Sequence, residues 1–230
     1  MDCKEIIYIL KSKKNQRNID GMARFGINSK NILGISAPRL ADFARRIKKD
    51  AKKERDNSEY LHNLALDLWS SGIHEARILA VLIDEKKLMN EDQMEKWALE
   101  FDSWGICDKV CGDLFDKTGF AYSKAIEWSK RKEEFVKRAG FVLMATLAVH
   151  DKKAGDEKFM KFFPYIKKES VDERNFVKKA VNWALRQIGK RNKALNEEAL
   201  SVAEEIRKMD ARSAKWIAAD AIRELKNKKF

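Results

Sequence analysis

The chain has 230 residues, with 48 Lys and Arg against 36 Asp and Glu, giving a formal net charge of +12. Its hydrophobic fraction of 44% is enough to build a substantial core, which excludes an intrinsically disordered chain. Only 10 Gly and 2 Pro (Pro38 and Pro164) occur, too few turn formers for the tight connections of a sandwich or barrel, so the composition points to an all-helical protein.

Residues 1–5 place charges where a signal peptide needs an uninterrupted apolar core, and we expect a cytoplasmic protein. The three cysteines, Cys3, Cys107 and Cys111, have no framework spacing and fit reduced thiols. At 34–38 a polar break precedes a helix, with Ser36 in the capping position before Pro38. Apolar residues then recur every three or four positions through 60–69 and 73–83, the spacing of amphipathic helices. Further breaks at 56–58, 70–72, 89–92, 117–119, 154–156, 168–170 and 191–193 divide the chain into about a dozen helices. Asn90, followed three residues later by Gln93, has the chemistry of a helix start. The longest apolar run, 140–149, falls short of the roughly 18 residues that cross a bilayer, so no membrane association is expected.

Charge is unevenly spread: residues 1–60 carry a net +7, 61–130 a net −5, and 131–230 a net +10. A basic excess at both ends suits two grips on a polyanion, while an acidic middle suits a different task; Lys-rich solubility is the plainer alternative.

Four segments, 75–80, 136–141, 177–183 and 213–218, read basic and then small and apolar in one phase. Their basic markers, Arg77, Arg138, Lys179 and Lys215, stand 61, 41 and 36 residues apart, and the wide first interval leaves room for a unit centred near Asp108. Such spacing predicts HEAT- or armadillo-like helix pairs stacked in a curved α-solenoid, a single domain over 1–230 whose concave basic groove is lined by the markers. An irregular helical bundle is the alternative.

The histidines, His62, His74 and His150, lie outside metal-ligand spacing, and we read them as surface or satisfied partly buried residues. Cys107 and Cys111 share a helix face but have no second pair to close a zinc site, so neither metal nor cofactor is expected. No phosphate-binding glycine loop and no acyl-transfer motif occurs. Two clusters stand out. Trp104 and Asp108, four apart, project from one helix face as an aromatic plane beside a carboxylate; they are either a working pair or a core anchor next to a solvated charge. Trp183 shares a face with Lys179, Arg186 and Lys190, with Arg191 next in line, which suits phosphate contacts around a packed sugar or, alternatively, a core tryptophan with snorkelling cations.

Residues 22–25, 33–39, 102–104 with Asp108, 136–139 and 179–186, taken in order, make the chain resemble the AlkD-like DNA alkylation repair enzymes, which are HEAT-like-repeat DNA glycosylases. The resemblance implies a monomeric enzyme that embraces double-stranded DNA and removes cationic N3- or N7-alkylated purines. Asp108 matches the family's catalytic aspartate, Trp104 and Trp183 its aromatic pair beside the damaged nucleotide's sugar, and Arg138 a residue holding the backbone. Arg39, Lys179, Arg186, Lys190 and Arg191 are the expected DNA contacts. Where some members carry two consecutive tryptophans this chain has Ser103-Trp104, so packing beside the lesion differs.

The chemistry follows from the residues as well. An alkylated purine is already cationic and leaves without a general acid, while the charge that develops on the deoxyribose calls for a fixed carboxylate. Tryptophan faces add electron-rich surface. No lysine is placed as a Schiff-base nucleophile, so a monofunctional enzyme is expected, and no pocket for an extruded base is legible. A non-catalytic HEAT-like scaffold for nucleic acid or an acidic protein is the competing reading.

Overall fold

The computed structural model describes residues 1–27, 31–53 and 56–230, and among them no strand occurs. By its internal contacts the chain groups into two units, Met1–Trp97 with Asp102–Thr118, and Ala98–Phe101 with Gly119–Phe230.

The first unit holds α1 (Cys3–Lys11), α2 (Gln16–Arg24), α3 (Ala37–Ala51), α4 (Asn57–Ser70), α5 (His74–Ile83), most of α6 (Glu91–Leu99), α7 (Trp104–Asp113) and a 3-10 turn (Phe115–Lys117). Side chains set several of the starts. Asp2 and Glu5 form a reciprocal capping box, Asn15 and Asp56 cap α2 and α4, and Asn90 accepts the Gln93 N–H at 2.8 Å as the sequence predicts. Ser36 departs from expectation: it occupies the cap of α3 but makes no side-chain capping bond. The entry to α3 is held from elsewhere, because the Glu75 carboxylate accepts the N–H groups of Leu33, Gly34 and Ile35 at 2.9, 2.7 and 3.3 Å. Gly34 has φ +74°, and a Cβ there would lie 2.4 Å from the Asn15 carbonyl, so this turn accepts only glycine.

α5 packs against α3, α4 and α7. Beneath it Trp69 and Trp97 stack at 4.0 Å with planes 2° apart, and the Arg77 guanidinium lies 4.8 Å from the Trp69 ring centre. Two large buried rings in contact exclude much apolar surface and fix α4 against α6.

The second unit contains α8 (Ala121–Trp128), α9 (Glu134–His150), α10 (Asp156–Met160), α11 (Phe163–Glu169), α12 (Asn175–Gly189), α13 (Lys193–Arg207) and α14 (Arg212–Lys226). Hairpins α8/α9, α11/α12 and α13/α14 stack so that α12 lies between α9 and α14, while α11 packs on α13. The apolar run at 140–149 is the middle of α9, buried through Ala148 because helices cover it on more than one side. Gly140 permits the approach of α8: a Cβ would sit 2.4 Å from the Ser129 nitrogen. No helix among the described residues is long and apolar enough to cross a membrane.

The repeat phase is correct in outline. Arg77, Arg138, Lys179 and Lys215 each lie about one turn into the second helix of a hairpin, on α5, α9, α12 and α14. Their environments differ, however. Lys179 and Lys215 are exposed, Arg138 is buried at 6% exposure, and Arg77 is tied inside the first unit between Trp69 and Asp102. A shared position in the helix does not make a uniform surface stripe.

Candidate functional site

Trp104 opens α7, and Asp108 follows one turn later; both are half-buried. Ser103 caps the helix, accepting the Ile106 N–H at 3.4 Å. The same helix buries Cys107 and Cys111 completely, and that burial pushes the Cys111 thiol well above the ordinary range. With one face so packed, Trp104 and Asp108 are presented from a fixed scaffold. The Trp104 indole is fixed further by its Nε1–H, which donates to the Phe25 carbonyl at 2.9 Å. Asp102, just before the helix, lies 3.9 Å from Arg77.

Beside Trp104 is a cavity of about 560 Å³, within the usual range of ligand pockets, lined chiefly by Met22, Phe25, Ile35, His74, Ile78 and Trp104. No such cavity is legible in the sequence. His74, expected to be a surface or satisfied partly buried residue, is 4% exposed and its Nδ1 has no hydrogen-bond partner. Burial holds its imidazole below the usual histidine pKa; Glu75 and Asp102 pull upward and Arg77 pulls down. His62, by contrast, is satisfied by Asp84 at 2.7 Å. Arg39 stands exposed in the first turn of α3, beside a second cavity that it lines with Lys13 and Arg46.

In the second unit Arg138 reaches from α9 to donate to the Phe176 carbonyl at the start of α12, at 2.6 Å. Along α12, Lys179 is exposed and Trp183 half-buried. The remaining expected contacts have partners within the unit. Arg186 pairs with Glu224 and lies 3.4 Å from Asp220, and Lys190 meets Glu224 at 2.6 Å. Burial pushes the Glu224 carboxyl up, yet the hydrogen bonds from Lys190 and Arg186 hold it below the ordinary range. Arg191 donates to the Ala148 and Ala154 carbonyls at 2.6 and 3.2 Å and lies 4.0 Å from the Phe159 ring centre, so it is chiefly a staple between elements.

The structure thus gathers Trp104 and Asp108 on α7 in the first unit, and Arg138, Lys179, Trp183, Arg186, Lys190 and Arg191 around α9 and α12 in the second. Sequence reasoning missed the roles of Phe25 and Glu75, whose partners lie some forty to eighty positions away, and the burial of His74. No local periodicity encodes that. Among the described residues no group of three or more His, Cys, Asp or Glu side chains is placed to hold a metal ion.

The model of the family described as DNA alkylation repair enzyme matches residues 6–225. No curated protein sequence matches the chain. Among solved structures, one described as a new family of proteins related to the HEAT-like repeat DNA glycosylases, with affinity for branched DNA structures, aligns over 100% of this chain and 97% of its own at 18% identity, with a TM-score of 0.75. A designed armadillo repeat protein aligns over 83% of this chain and 94% of its own at 14% identity, with a TM-score of 0.40.

Proposed function

This chain belongs to the DNA alkylation repair enzyme family, and we propose that within it the protein is a monofunctional glycosylase that removes N3- or N7-alkylated purines from duplex DNA and leaves an abasic site. The observation that carries this reading is the pair on α7: a half-buried carboxylate, Asp108, one turn from an indole held by its own N–H.

The lesion itself makes such a sparse site sufficient. An N3- or N7-alkylated purine is positively charged, so the glycosidic electron pair leaves with the base, which departs neutral and needs no proton. Charge then develops on the deoxyribose, and a carboxylate fixed beside it stabilises that charge without reorganising. Asp108 takes this role and orients the attacking water; the Trp104 ring adds an electron-rich face against the cation. Arg138 and Trp183 contact the DNA backbone and sugar, and Arg39, Lys179, Arg186, Lys190 and Arg191 contact phosphates. Of these, Lys179 and Arg39 are the most available, while Arg191 must serve its structural bonds as well. The protein acts as a monomer in the cytoplasm.

The test is release of 7-methylguanine or 3-methyladenine from methylated duplex DNA by the wild type and by Asp108→Asn. Loss of release with retained DNA binding is expected; equal release by both proteins would remove Asp108 from the mechanism. A second reading, a HEAT-like scaffold that binds DNA without chemistry, draws support from the relative described as having affinity for branched DNA structures. It predicts salt-sensitive binding and no base release by either protein.

A further inference from the structure

The hairpins of the second unit end on α14, and the first turn of that helix differs from those before it. In the two preceding hairpins the residue after the basic marker, Ala139 on α9 and Ala180 on α12, is fully buried. Trp216 follows Lys215 at the same step and is 41% exposed, whereas the other tryptophans are buried or half-buried. Its setting is fixed. Glu173, just ahead of α12, accepts the Ser213 N–H at 3.0 Å and so ties the start of α14 to the start of α12. That hydrogen bond, above all, holds the Glu173 carboxyl below its ordinary range. Lys178, about one turn into α12, stands over the Trp216 ring with its Nζ 5.5 Å from the ring centre.

A large ring in water is not by itself a site; the charges around this one give it a ligand. Lys178, Lys179, Arg212 and Lys215 all lie at the starts of α12 and α14, and the last three are exposed. The neighbouring carboxylates do not cancel them. Glu173 is engaged by Ser213, Asp172 by Arg174 and Lys137, and Asp210 meets Lys215 at 3.0 Å in open water, where an ion pair contributes little and a phosphate readily displaces it. The balance favours an anionic partner. An acidic peptide would answer the cations but brings no flat surface for the indole. A blunt duplex presents phosphates with its bases stacked inside, so the ring would meet only the sugar edge. A single strand offers both groups at once: unstacked bases with free π faces and a phosphate at every step.

We propose that Trp216 is a stacking platform for an unpaired nucleotide of a DNA strand, with Lys178, Lys179, Arg212 and Lys215 drawing in the phosphates on either side of it. The Lys178 ammonium covers one face of the indole, so the base takes the other. Stacking reads no base edge, and the site is therefore tolerant of sequence. Membership of a DNA repair family supplies the nucleic acid, but the glycosylase chemistry is not needed and no residue of α7 takes part.

The experiment titrates the full chain into undamaged, end-labelled DNA and follows fluorescence anisotropy with an oligothymidine single strand, a strand of the same length built from abasic units, and a blunt duplex. Trp216→Ala is expected to weaken binding to oligothymidine about tenfold, Trp216→Phe, which keeps a ring, to weaken it less, and the blunt duplex to change by no more than about twofold. The abasic strand carries the same phosphates without bases, so it should bind the wild type as weakly as oligothymidine binds Trp216→Ala, and that substitution should weaken it no further. Circular dichroism checks that the variants fold; if Trp216→Ala does not, Trp216→Phe and the comparison of the two strands on the wild type decide. Equal losses on single strand and blunt duplex, equal binding of the abasic strand, or unchanged affinity in Trp216→Ala overturns the proposal. Competition by polyglutamate that disappears in Trp216→Ala would assign the surface to an acidic protein and overturn it as well. Every arm uses undamaged DNA, so failure of base release from methylated DNA would be a separate result.

Discussion

The indole nitrogen of Trp104 donates to the backbone carbonyl of Phe25 at 2.9 Å, joining residues 79 positions apart. Rotation of the ring is thereby fixed by the end of α2, and Asp108, one turn along the same helix, inherits a neighbour of defined orientation. Trp104→Phe keeps an aromatic ring but deletes the donor. Because the bond is solvent-exposed, water replaces much of it, and the stability cost is about 0.5–1 kcal/mol. We expect the rate of base release to fall by roughly tenfold, the equivalent of about 1.4 kcal/mol in the transition state, and to fall further in Trp104→Ala, which also removes the ring. Single-turnover release from methylated DNA by the three proteins, alongside their thermal transitions, separates ring orientation from ring presence.

Glu75 has no exposed surface, and its carboxylate serves three backbone N–H groups of the segment that enters α3. Glu75→Gln keeps the shape but turns one acceptor into an amide that confronts N–H donors with N–H. Charge-assisted bonds are the stronger kind and a buried donor left unpaired is expensive, so a loss of about 2–3 kcal/mol is expected. Urea denaturation measures the loss. Hydrogen exchange at the amides of Leu33, Gly34 and Ile35 should accelerate more than that in α9, which lies in the other unit; uniform acceleration throughout would show that the carboxylate supports more than this segment.

These two residues also show where sequence reading stops. The helices were legible because each one carries its own signal: apolar spacing through 60–69 and 73–83, a cap at Asn90, a break at each turn. The Trp104 and Asp108 pair was legible for the same reason, being a single turn of one helix. Ser36 misled because capping chemistry was present but the entry to α3 is bonded by Glu75, forty residues on. The cavity was illegible because its wall comes from α2, α3, α5, α7 and the segment before α3, and no one of them has an unusual pattern. The ion pairs of Arg186 and Lys190 were illegible for a similar reason: their partners Asp220 and Glu224 belong to α14, outside the segment that holds the cluster.

Those partners bear on DNA affinity. Glu224 holds Arg186 and Lys190 together, and a phosphate arriving at either cation competes with a carboxylate already in place. Glu224→Gln removes that competitor while retaining a hydrogen-bond acceptor. Binding to an undamaged duplex should tighten by about three- to tenfold at low salt, and the slope of log affinity against log salt should steepen by about 1, the signature of one more phosphate neutralised. Lys179→Glu should weaken binding and flatten the slope. Fluorescence anisotropy across a salt series reads both; an unchanged slope in Glu224→Gln would place Arg186 and Lys190 outside the DNA contact.

His74 sets a pH dependence with a definite sign. Burial lowers its pKa in the folded protein below the usual value near 6.5, with Arg77 adding to the depression and Glu75 and Asp102 opposing it. As pH falls below about 6.5, the unfolded chain takes up a proton at this position that the folded chain refuses, so folding stability declines with acidification. The decline ceases once pH passes below the folded-state pKa, and it cannot exceed about 1.4 kcal/mol per pH unit for one group. His74→Phe removes the titration and fills the space with an apolar ring. The wild type should therefore lose more stability than His74→Phe between pH 7.5 and 5.5, read as the difference in their urea midpoints at each pH.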